Sequence, residues 1–375
     1  MTYDPAVDVQ YMQQALELAR GGLGFVSPNP LVGCVLVKDG AVVGRGYHQR
    51  FGGPHAEVYA LQEAGPQARG AVLYVNLEPC SHTGKTPPCA DAVMQAGVSR
   101  VVVALRDPNP LVAGTGLARL AAAGIAVTVG VCEAAAHKLN EAFVKYITTR
   151  RPFVTLKSAI TLDGKIATRT GASQWITGEL ARQEGHRLRH AADAILVGIG
   201  TVLQDDPQLT TRLPDQQGAN PLRVIVDSTL RVPLQAQVTD VASDRRTLIV
   251  TTARAPVAHS EALRTRGVEV VCLPAYDDGR VDLEALCRDL GERGVASVLV
   301  EGGATLSATL LRRRLVDKVL LFVAPKIIGG DGISVVGPCG VETMEQVIQL
   351  RDVVSQRLGN DVLLEAYCTT EIGSS

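Results

Sequence analysis

Short runs of Val, Ile and Leu recur along almost the whole chain and alternate with stretches of helical periodicity. In the first part of the chain these runs are Leu31–Val37, Ala71–Leu77, Val101–Leu105 and Ala126–Val131. The candidate helices around them are Val9–Arg20, His55–Ala64, Cys89–Ala96, Leu117–Ala123 and Ala134–Ile147. Continuously apolar strands that alternate with helices are typical of a sheet covered on both faces. The pattern therefore predicts an α/β fold.

A second α/β series follows and contains more strands than the first. Its predicted strands are Phe153–Ile160, Ala194–Gly200, Leu222–Asp227, Thr247–Thr252, Val268–Leu273, Ser297–Glu301, Lys318–Ala324 and Asp361–Tyr367, with a long loop-like stretch at Gln204–Pro221. Between the two series, residues 148–152 (TTRRP) are polar and end in proline, as a linker would. Since 375 residues make about two average domains, we predict domains at residues 1–149 and 150–375.

Charge, hydropathy and cysteine usage exclude several classes of protein. The 37 basic and 38 acidic residues give a net charge of −1, so there is no general attraction to nucleic acid or anionic membrane. No apolar run approaches the roughly 20 residues of a transmembrane helix, and Met1–Gln10 does not read as a signal peptide. The eight cysteines are scattered, which favours thiols or metal ligands over disulfides. We expect a cytoplasmic protein with a small-molecule substrate.

The most informative motif combines His55-Ala56-Glu57 with two later cysteines, Cys80 after Glu78-Pro79 and Cys89 after a proline pair. One histidine and two cysteines supply three zinc ligands and leave a fourth position for water, as a catalytic zinc site requires. Zinc lowers the pKa of such a water to about neutrality, and Glu57 stands two residues from a ligand, able to move the proton. The preceding prolines predict that His55 and Cys89 each open a helix, whose N-terminus favours a thiolate.

This order of residues is that of nucleobase deaminases, apart from the spacing of the cysteines. Eight residues (SHTGKTPP) separate Cys80 from Cys89 where that pattern has two, and we interpret them as a substrate loop. One alternative is a deaminase of nucleosides or tRNA with an unrelated C-terminal domain, although the near-zero charge argues against nucleic acid. Another is a zinc-stabilised structural module, although no fourth ligand follows at a suitable spacing.

The second half contains a candidate phosphate-binding turn. In Ser297–Thr305 (SVLVEGGAT) an apolar strand runs into a glycine pair and then a predicted helix from Ala304. Backbone N–H groups at such a helix N-terminus can approach a phosphate. An ordinary tight turn is the alternative, and no G-x-G-x-x-G follows a strand, so a standard Rossmann site is not indicated.

Longer stretches in both halves carry a family resemblance. In the first half they are residues 29–33 (NPLVG), 44–48 (GRGYH), 55–57 (HAE) and 78–89 (EPCSHTGKTPPC). In the second they are residues 157–159 (KSA), 162–167 (LDGKIA), 173–177 (SQWIT), the Gly200–Arg212 region (GTVL, DDP, LTTR) and 300–303 (VEGG). Together they resemble the bifunctional riboflavin-biosynthesis deaminase/reductase.

The resemblance implies an N-terminal cytidine-deaminase-like α/β/α domain. There, zinc-dependent hydrolysis would remove an amino group from a phosphoribosylated diaminopyrimidinone, with Glu57 as the catalytic residue and His55, Cys80 and Cys89 as zinc ligands. It also implies a substrate pocket formed by Asn29, His48, His82 and Lys85. Cys34, in an apolar strand, is expected in the core.

The resemblance further implies a C-terminal dihydrofolate-reductase-like α/β domain, which uses NADPH to reduce the ribosyl side chain to ribityl. The implied cofactor contacts are Ala159, Trp175, Thr201, Asp205, Ser228, Gly303, Ala304, Thr305 and Leu306. The implied substrate contacts are Ser173, Arg189, Leu209, Arg212 and Glu301, with Lys157 a candidate for proton handling. The two arginines make chemical sense because a guanidinium grips phosphate in a fork. NADPH over NADH and a homo-oligomer, a dimer or larger, are expected from the family alone.

Overall fold

The computed structural model describes residues 5–81, 88–109, 113–214, 218–242 and 244–369. The chain divides into two compact units, Met1–Arg150 and Arg151–Ser375, and the division falls within the polar stretch 148–152. Each unit is built around its own sheet.

In the first unit the described residues form a five-stranded sheet in the order β2-β1-β3-β4-β5. The strands are β1 Gly33–Lys38, β2 Ala41–Tyr47, β3 Val72–Leu77, β4 Arg100–Leu105 and β5 Ala126–Val129. β1 is antiparallel to β2 and β3, whereas β3, β4 and β5 run parallel. Because parallel strands end at the same edge of a sheet, the segments that follow β3 and β4 lie side by side there.

Helices cover both faces of this sheet, as the sequence predicts. They are α1 Pro5–Ala19, α2 Ala56–Ala64, α3 Cys89–Ala96, α4 Thr115–Ala122, α5 Glu133–Leu139 and α6 Glu141–Thr149. Alternate residues of β1 point into two separate cores: Cys34 and Leu36 pack with α2, whereas Val35 and Val37 pack with α1. The expected core position of Cys34 is confirmed, since its exposure is 0%.

One local prediction in this unit is wrong, and one strand was not predicted. A single helix over Ala134–Ile147 is replaced by α5 and α6, which meet at Asn140. The buried Asn140 side chain accepts from Leu31 N at 2.8 Å and donates to Leu31 O at 3.0 Å, and these bonds hold it where the helix breaks. The strand β2 was not predicted because glycines interrupt its apolar pattern. A Cβ at Gly44 would lie only 2.2 Å from Ala60 O, so the close approach of α2 requires glycine there.

In the second unit the described residues form a nine-stranded sheet in the order β11-β10-β9-β8-β12-β6-β13-β16-β15. All eight predicted strands are present. The strands of this unit are β6 Phe153–Thr161, β7 Lys165–Ala167, β8 Ala194–Gly198, β9 Leu222–Val226, β10 Thr247–Thr251, β11 Glu269–Cys272, β12 Ser297–Val300, β13 Lys318–Ala324, β14 Ile333–Ser334, β15 Leu350–Leu358 and β16 Asp361–Cys368. β15 lies at the edge of the sheet. It was not predicted, because its polar residues leave no continuous apolar run.

The helices of the second unit follow the parallel strands and pack on both faces of the sheet. They are α7 Glu179–Ala191, α8 Ile199–Asp205, α9 Val257–Thr265, α10 Leu283–Glu292 and α11 Ala304–Arg312. From β11 across to β13 the strands are parallel, and β16 and β15 are antiparallel additions. The carboxyl ends of β10, β9, β8 and β12 therefore share one edge, where ligands of open α/β sheets usually bind.

Candidate active sites

Three metal-binding side chains of the first unit converge beside the end of β3. His55 is the N-cap of α2, Cys89 is the first residue of α3, and Cys80 lies just after β3. His55 Nδ1 lies 3.2 Å from Cys89 Sγ and 3.6 Å from Cys80 Sγ, and all three ligand atoms lie within 4.8 Å of one another. Tetrahedral zinc with ordinary bond lengths separates its nitrogen and sulfur ligands by about 3.5 Å. The donor set and its spacing therefore fit zinc.

Ionisation of the neighbouring groups suits such a site. Burial raises the pKa of Glu57, a residue of the first turn of α2 whose exposure is 3%, to about 7. Hydrogen bonds from Cys89 and His55 lower the pKa of Cys80, and the same contact with Cys80 raises the pKa of Cys89, so Cys80 is the thiol of the pair that ionises first. The backbone N–H of Cys89 also donates to Cys80 Sγ at 3.3 Å. A thiolate is the form that binds metal, and a carboxyl group near neutrality can both accept and release a proton.

A cavity of about 320 Å³ adjoins this cluster and contains two of the predicted pocket residues, Asn29 and His48. His48 Nδ1 lies 2.9 Å from the carbonyl oxygen of Pro54, so this nitrogen must carry a hydrogen and donate it. Burial lowers the pKa of His48, which favours the neutral ring. His48 Nε2 is then an acceptor, 3.1 Å from Asn29 Nδ2. The other two predicted pocket residues, His82 and Lys85, lie outside the described residues.

Sequence reasoning missed several residues that line the same cavity. Asp107 and Asn109 follow β4 and enter it beside the segment that carries Cys80. The sequence could have indicated both residues, because polar residues directly after a parallel strand commonly reach a ligand. The apolar side of the cavity is lined by Phe51, Phe143 and Ile147, which no local motif marks.

Glu78 is a further residue whose role was missed, although its motif with Cys80 was noticed. Its buried carboxylate accepts from the backbone N–H of Gly116 at 2.9 Å, Gly114 at 3.0 Å, Asp107 at 3.2 Å and Leu117 at 3.3 Å. These bonds tie the start of α4 and the segment of Asp107 to the segment of Cys80. The negative charge of the carboxylate at the N-terminus of α4 also interacts favourably with the dipole of that helix.

The second unit has a cavity of about 750 Å³ along the shared edge of its parallel strands. Seven of the predicted cofactor residues line it: Thr201, Asp205, Ser228, Gly303, Ala304, Thr305 and Leu306. Gly303 is the extended N-cap of α11, so the first N–H groups of that helix face the cavity region. Ser173, predicted for the substrate, lines this cavity too.

The remaining two predicted cofactor residues are not among the residues that line the cavity. Ala159 lies within β6, opposite Phe322 of β13. Trp175 is 64% exposed, with the Arg182 guanidinium 4.7 Å from its ring centre. Trp175 is therefore a surface residue in this structure and not part of the core.

Glu301, a predicted substrate contact at the carboxyl end of β12, pairs with two cationic side chains. Arg189 grips it in a fork, with Nε 3.0 Å from Oε1 and Nη2 2.7 Å from Oε2, and Lys157 Nζ lies 3.9 Å from Oε2. Burial alone would raise the pKa of Glu301, but Arg189 and Lys157 lower it to about 2. The fork of Arg189 is thus directed at Glu301, and its Nη1 donates to Thr210 O at 3.1 Å.

The stretch after α8 supplies the last two predicted substrate residues. Leu209 is buried in a left-handed conformation with φ of +55°, beside the loop that Arg189 holds. Arg212 is exposed, and its Nη1 donates to Gln208 Oε1 at 3.0 Å. Of the two predicted arginines, Arg212 is therefore the one whose guanidinium faces solvent.

Comparison with known proteins relates the whole chain to one family. Residues 152–364 match the RibD C-terminal domain, and residues 5–105 match the zinc-binding region of cytidine and deoxycytidylate deaminases. The riboflavin biosynthesis protein RibD of Aquifex aeolicus is 45% identical over 96% of this chain and 98% of its own length. This chain belongs to the RibD family.

Solved structures of RibD proteins support the same family assignment. The Acinetobacter baumannii RibD structure is 40% identical, covers 98% of this chain and 100% of its own, and superposes with a TM-score of 0.88. A Thermotoga maritima structure, described as a diaminohydroxyphosphoribosylaminopyrimidine deaminase/5-amino-6-(5-phosphoribosylamino)uracil reductase, is 39% identical with a TM-score of 0.85. It covers 98% of this chain and 100% of its own.

Membership of the RibD family makes this chain a bifunctional enzyme of riboflavin biosynthesis, with a deaminase and a reductase domain. The predicted family and α/β fold are confirmed. The alternative of an unrelated C-terminal domain is wrong, because the RibD reductase model matches that half. Among the described residues, none of the helices has the length and apolar character needed to cross a membrane.

Proposed function

We propose that this chain catalyses two consecutive steps of riboflavin biosynthesis. In the first, 2,5-diamino-6-ribosylamino-4(3H)-pyrimidinone 5′-phosphate takes up water and releases ammonia. In the second, NADPH reduces the ribosyl side chain to ribityl, which gives 5-amino-6-ribitylaminouracil 5′-phosphate. The observation that carries the proposal is the cluster of His55, Cys80 and Cys89 beside the buried Glu57. The activity described for the Thermotoga maritima relative supports it.

In the deaminase, His55, Cys80 and Cys89 would hold zinc, which when bound activates water as a nucleophile near neutral pH. Glu57 takes a proton from the attacking water, delivers it to a ring nitrogen and assists the departure of ammonia. Asn29 and His48 would meet the polar edge of the pyrimidine, where an unmatched group rejects the wrong ring. We assign His82 and Lys85 to the same substrate, with Lys85 near its phosphate or ribose.

In the reductase, the bound coenzyme supplies the hydride. Thr201, Asp205, Ser228 and the turn Gly303–Leu306 would hold it, because the first N–H groups of α11 suit a pyrophosphate. Ala159 and Trp175 are also proposed to contact the coenzyme. Glu301 stays ionised near neutral pH and keeps the Lys157 ammonium in place. Lys157 can then give a proton to the ring oxygen of the ribosyl group as C1′ accepts hydride and the bond between C1′ and that oxygen breaks, which opens the ring to ribityl.

The phosphorylated substrate of the reductase needs a cationic partner. Arg212 is proposed for this role because its exposed guanidinium can grip phosphate. Ser173, Leu209 and the Glu301–Arg189 pair would shape the remainder of the substrate site.

Three further proposals concern the whole chain. We assign the deaminase to residues 1–149 and the reductase to residues 150–375. A cytoplasmic location is supported by the eight free cysteines, since reducing compartments keep thiols available for metal binding. A homo-oligomer, a dimer or larger, is supported by the edge strand β15, where Val353 is 63% and Val354 is 54% exposed. Sedimentation velocity of the purified protein tests it, and a monomer would contradict it.

Separate assays of the two reactions on a Glu57→Gln variant test the proposed function. The variant should bind about one zinc per chain, because no ligand changes. Its deaminase rate should fall by about 10³-fold, because the proton carrier is lost. NADPH oxidation with the deaminated intermediate should match wild type. Loss of both reactions together would count against two independent sites, and equal deamination of cytidine by wild type would rule out the proposed substrate.

A further inference from the structure

Two walls of the deaminase cavity come from distant parts of the first unit. The first wall belongs to residues 29–32, just before β1, and the second wall to α6, through Phe143 and Ile147. The buried residue Asn140 contacts both of these segments. We propose that Asn140 is a positioning residue that sets how the two walls lie relative to each other, and so sets the affinity of the deaminase for its pyrimidine substrate. The inference rests on the proposed deaminase function.

The side chain of Asn140 places the first wall through bonds to a single residue. Its Oδ1 accepts from the N–H of Leu31 at 2.8 Å, and its Nδ2 donates to the carbonyl oxygen of Leu31 at 3.0 Å. Leu31 stands between Pro30 and Val32, which both line the cavity. Asn140 is 2% exposed, so both bonds form away from water, where the loss of one partner is costly. The position of the first wall therefore depends on this amide.

The backbone of Asn140 places the second wall. α5 ends and α6 begins at this residue, whose carbonyl oxygen accepts from the N–H of Val144 in α6 at 2.8 Å. Its own N–H donates to the carbonyl oxygen of Ala136 in α5 at 3.1 Å. Phe143 and Ile147 lie four residues apart on α6, and therefore on one face of that helix. A shift of Asn140 would carry both of these side chains with it.

The side chain of Asn140 is not used as asparagine usually is at the start of a helix. Asparagine is a favoured N-cap residue because its side-chain oxygen can accept from the N–H groups of the first turn. Here that oxygen accepts instead from the N–H of Leu31, which is 109 residues away in the sequence. Helix capping therefore does not explain this side chain, whereas joining two segments of the cavity does.

Asn76 of β3 provides a matched comparison. It is 0% exposed, its Nδ2 donates to the carbonyl oxygen of Leu31 at 2.8 Å, and its Oδ1 accepts from the N–H of Gly33 at 2.8 Å. These two bonds hold the first wall and the start of β1, whereas Asn140 also forms the junction of α5 and α6. Asn76 therefore governs one wall, and Asn140 governs both.

Double-variant kinetics of the full-length protein test this inference. Asn140→Asp and Asn76→Asp each replace the amide donor with an oxygen that faces the carbonyl oxygen of Leu31. Each is combined with Asn29→Ala on the first wall and with Phe143→Ala on the second. KM and kcat are measured for deamination of 2,5-diamino-6-ribosylamino-4(3H)-pyrimidinone 5′-phosphate. Zinc content is measured beside them, to check that the first unit is folded.

Asn140→Asp should raise the KM about tenfold and leave kcat within about threefold of wild type, because the walls move while Glu57 and the proposed ligands are unchanged. Combined with either Asn29→Ala or Phe143→Ala, it should raise the KM less than the product of the two single effects, by about threefold or more. Asn76→Asp should show such coupling with Asn29→Ala, but its effect should simply multiply with that of Phe143→Ala.

The outcomes separate this inference from the proposed function. An unchanged KM in Asn140→Asp, or effects that simply multiply with those of Phe143→Ala, would overturn the inference and leave the proposed function standing. If Asn140→Asp loses zinc, Asn140→Ala repeats the same combinations without a buried charge, and zinc loss in both variants would overturn the inference in favour of a purely structural role. Failure of wild type to deaminate this substrate would instead overturn the proposed function.

Discussion

The two sites differ in how the chain assembles them. The proposed zinc ligands of the deaminase are three side chains whose donor atoms lie within 4.8 Å of one another, all drawn from residues 55–89. The reductase cavity of about 750 Å³ is lined by side chains and turns drawn from residues 166–333. In the first site each side chain supplies one of a few essential bonds. In the second, binding is divided among many contacts, so single substitutions there should cost less.

The largest effect is expected at the metal cluster. Cys89→Ala removes one of three ligands, so zinc content should fall and deamination should drop by about 10³-fold or more. Metal analysis and separate assays of the two reactions check this. Cys34→Ala is the matched control, because Cys34 is a buried thiol outside the cluster. A Cys89→Ala protein with normal zinc and normal deamination would contradict the assignment of the ligands.

The next effect concerns stability of the reductase unit. Glu301 has a pKa near 2 in the fold, below its ordinary 4.5, so it stabilises the fold fully above the unfolded pKa and loses that contribution as pH falls toward 2. Glu301→Gln should therefore lower the free energy of unfolding by about 3 kcal/mol at pH 7. Denaturant titrations should show the difference shrinking between about pH 4.5 and 2. Exposed Glu292→Gln is the control. A difference that does not vary with pH would contradict the role of this charge.

A smaller effect is expected from Glu78→Gln. The amide keeps one acceptor oxygen but replaces the other with a donor, so some of the four N–H groups lose their partner. Because these bonds hold the segment of Asp107, the KM of the deaminase should rise by roughly tenfold while kcat changes less. Steady-state kinetics with zinc analysis and the reductase assay check this, with exposed Glu17→Gln as the control. A pure fall in kcat, or loss of zinc, would contradict a role of Glu78 in positioning the segment of Asp107.

The smallest effect is expected from Thr201→Val in the reductase cavity. It removes one neutral hydroxyl among many contacts, so the KM for NADPH should rise by about three- to tenfold with kcat nearly unchanged. Initial rates at varied NADPH check this. A loss as large as that from Cys89→Ala would break the contrast between a concentrated and a distributed site.

The two sites also differed in how well the sequence described them. His55, Cys80 and Cys89 were identified as a set, because metal chemistry requires few residue types and each lies within a recognisable motif. Asp107, Phe143 and the buried pair Asn76 and Asn140 were not found, because no local pattern marks them. Their positions depend on which strands are neighbours in the sheet.

Sequence alone determined two α/β domains, the family resemblance and the donor set of the proposed metal site, because hydrophobic periodicity and motif chemistry are local properties. Tertiary structure decided which distant segments meet. It turned the fork of Arg189 toward Glu301, placed Trp175 on the surface and brought Asn76 and Asn140 together at Leu31. These outcomes depend on strand order and on the balance between burial and pairing of charges, and neither is encoded in the spacing of residues along the chain.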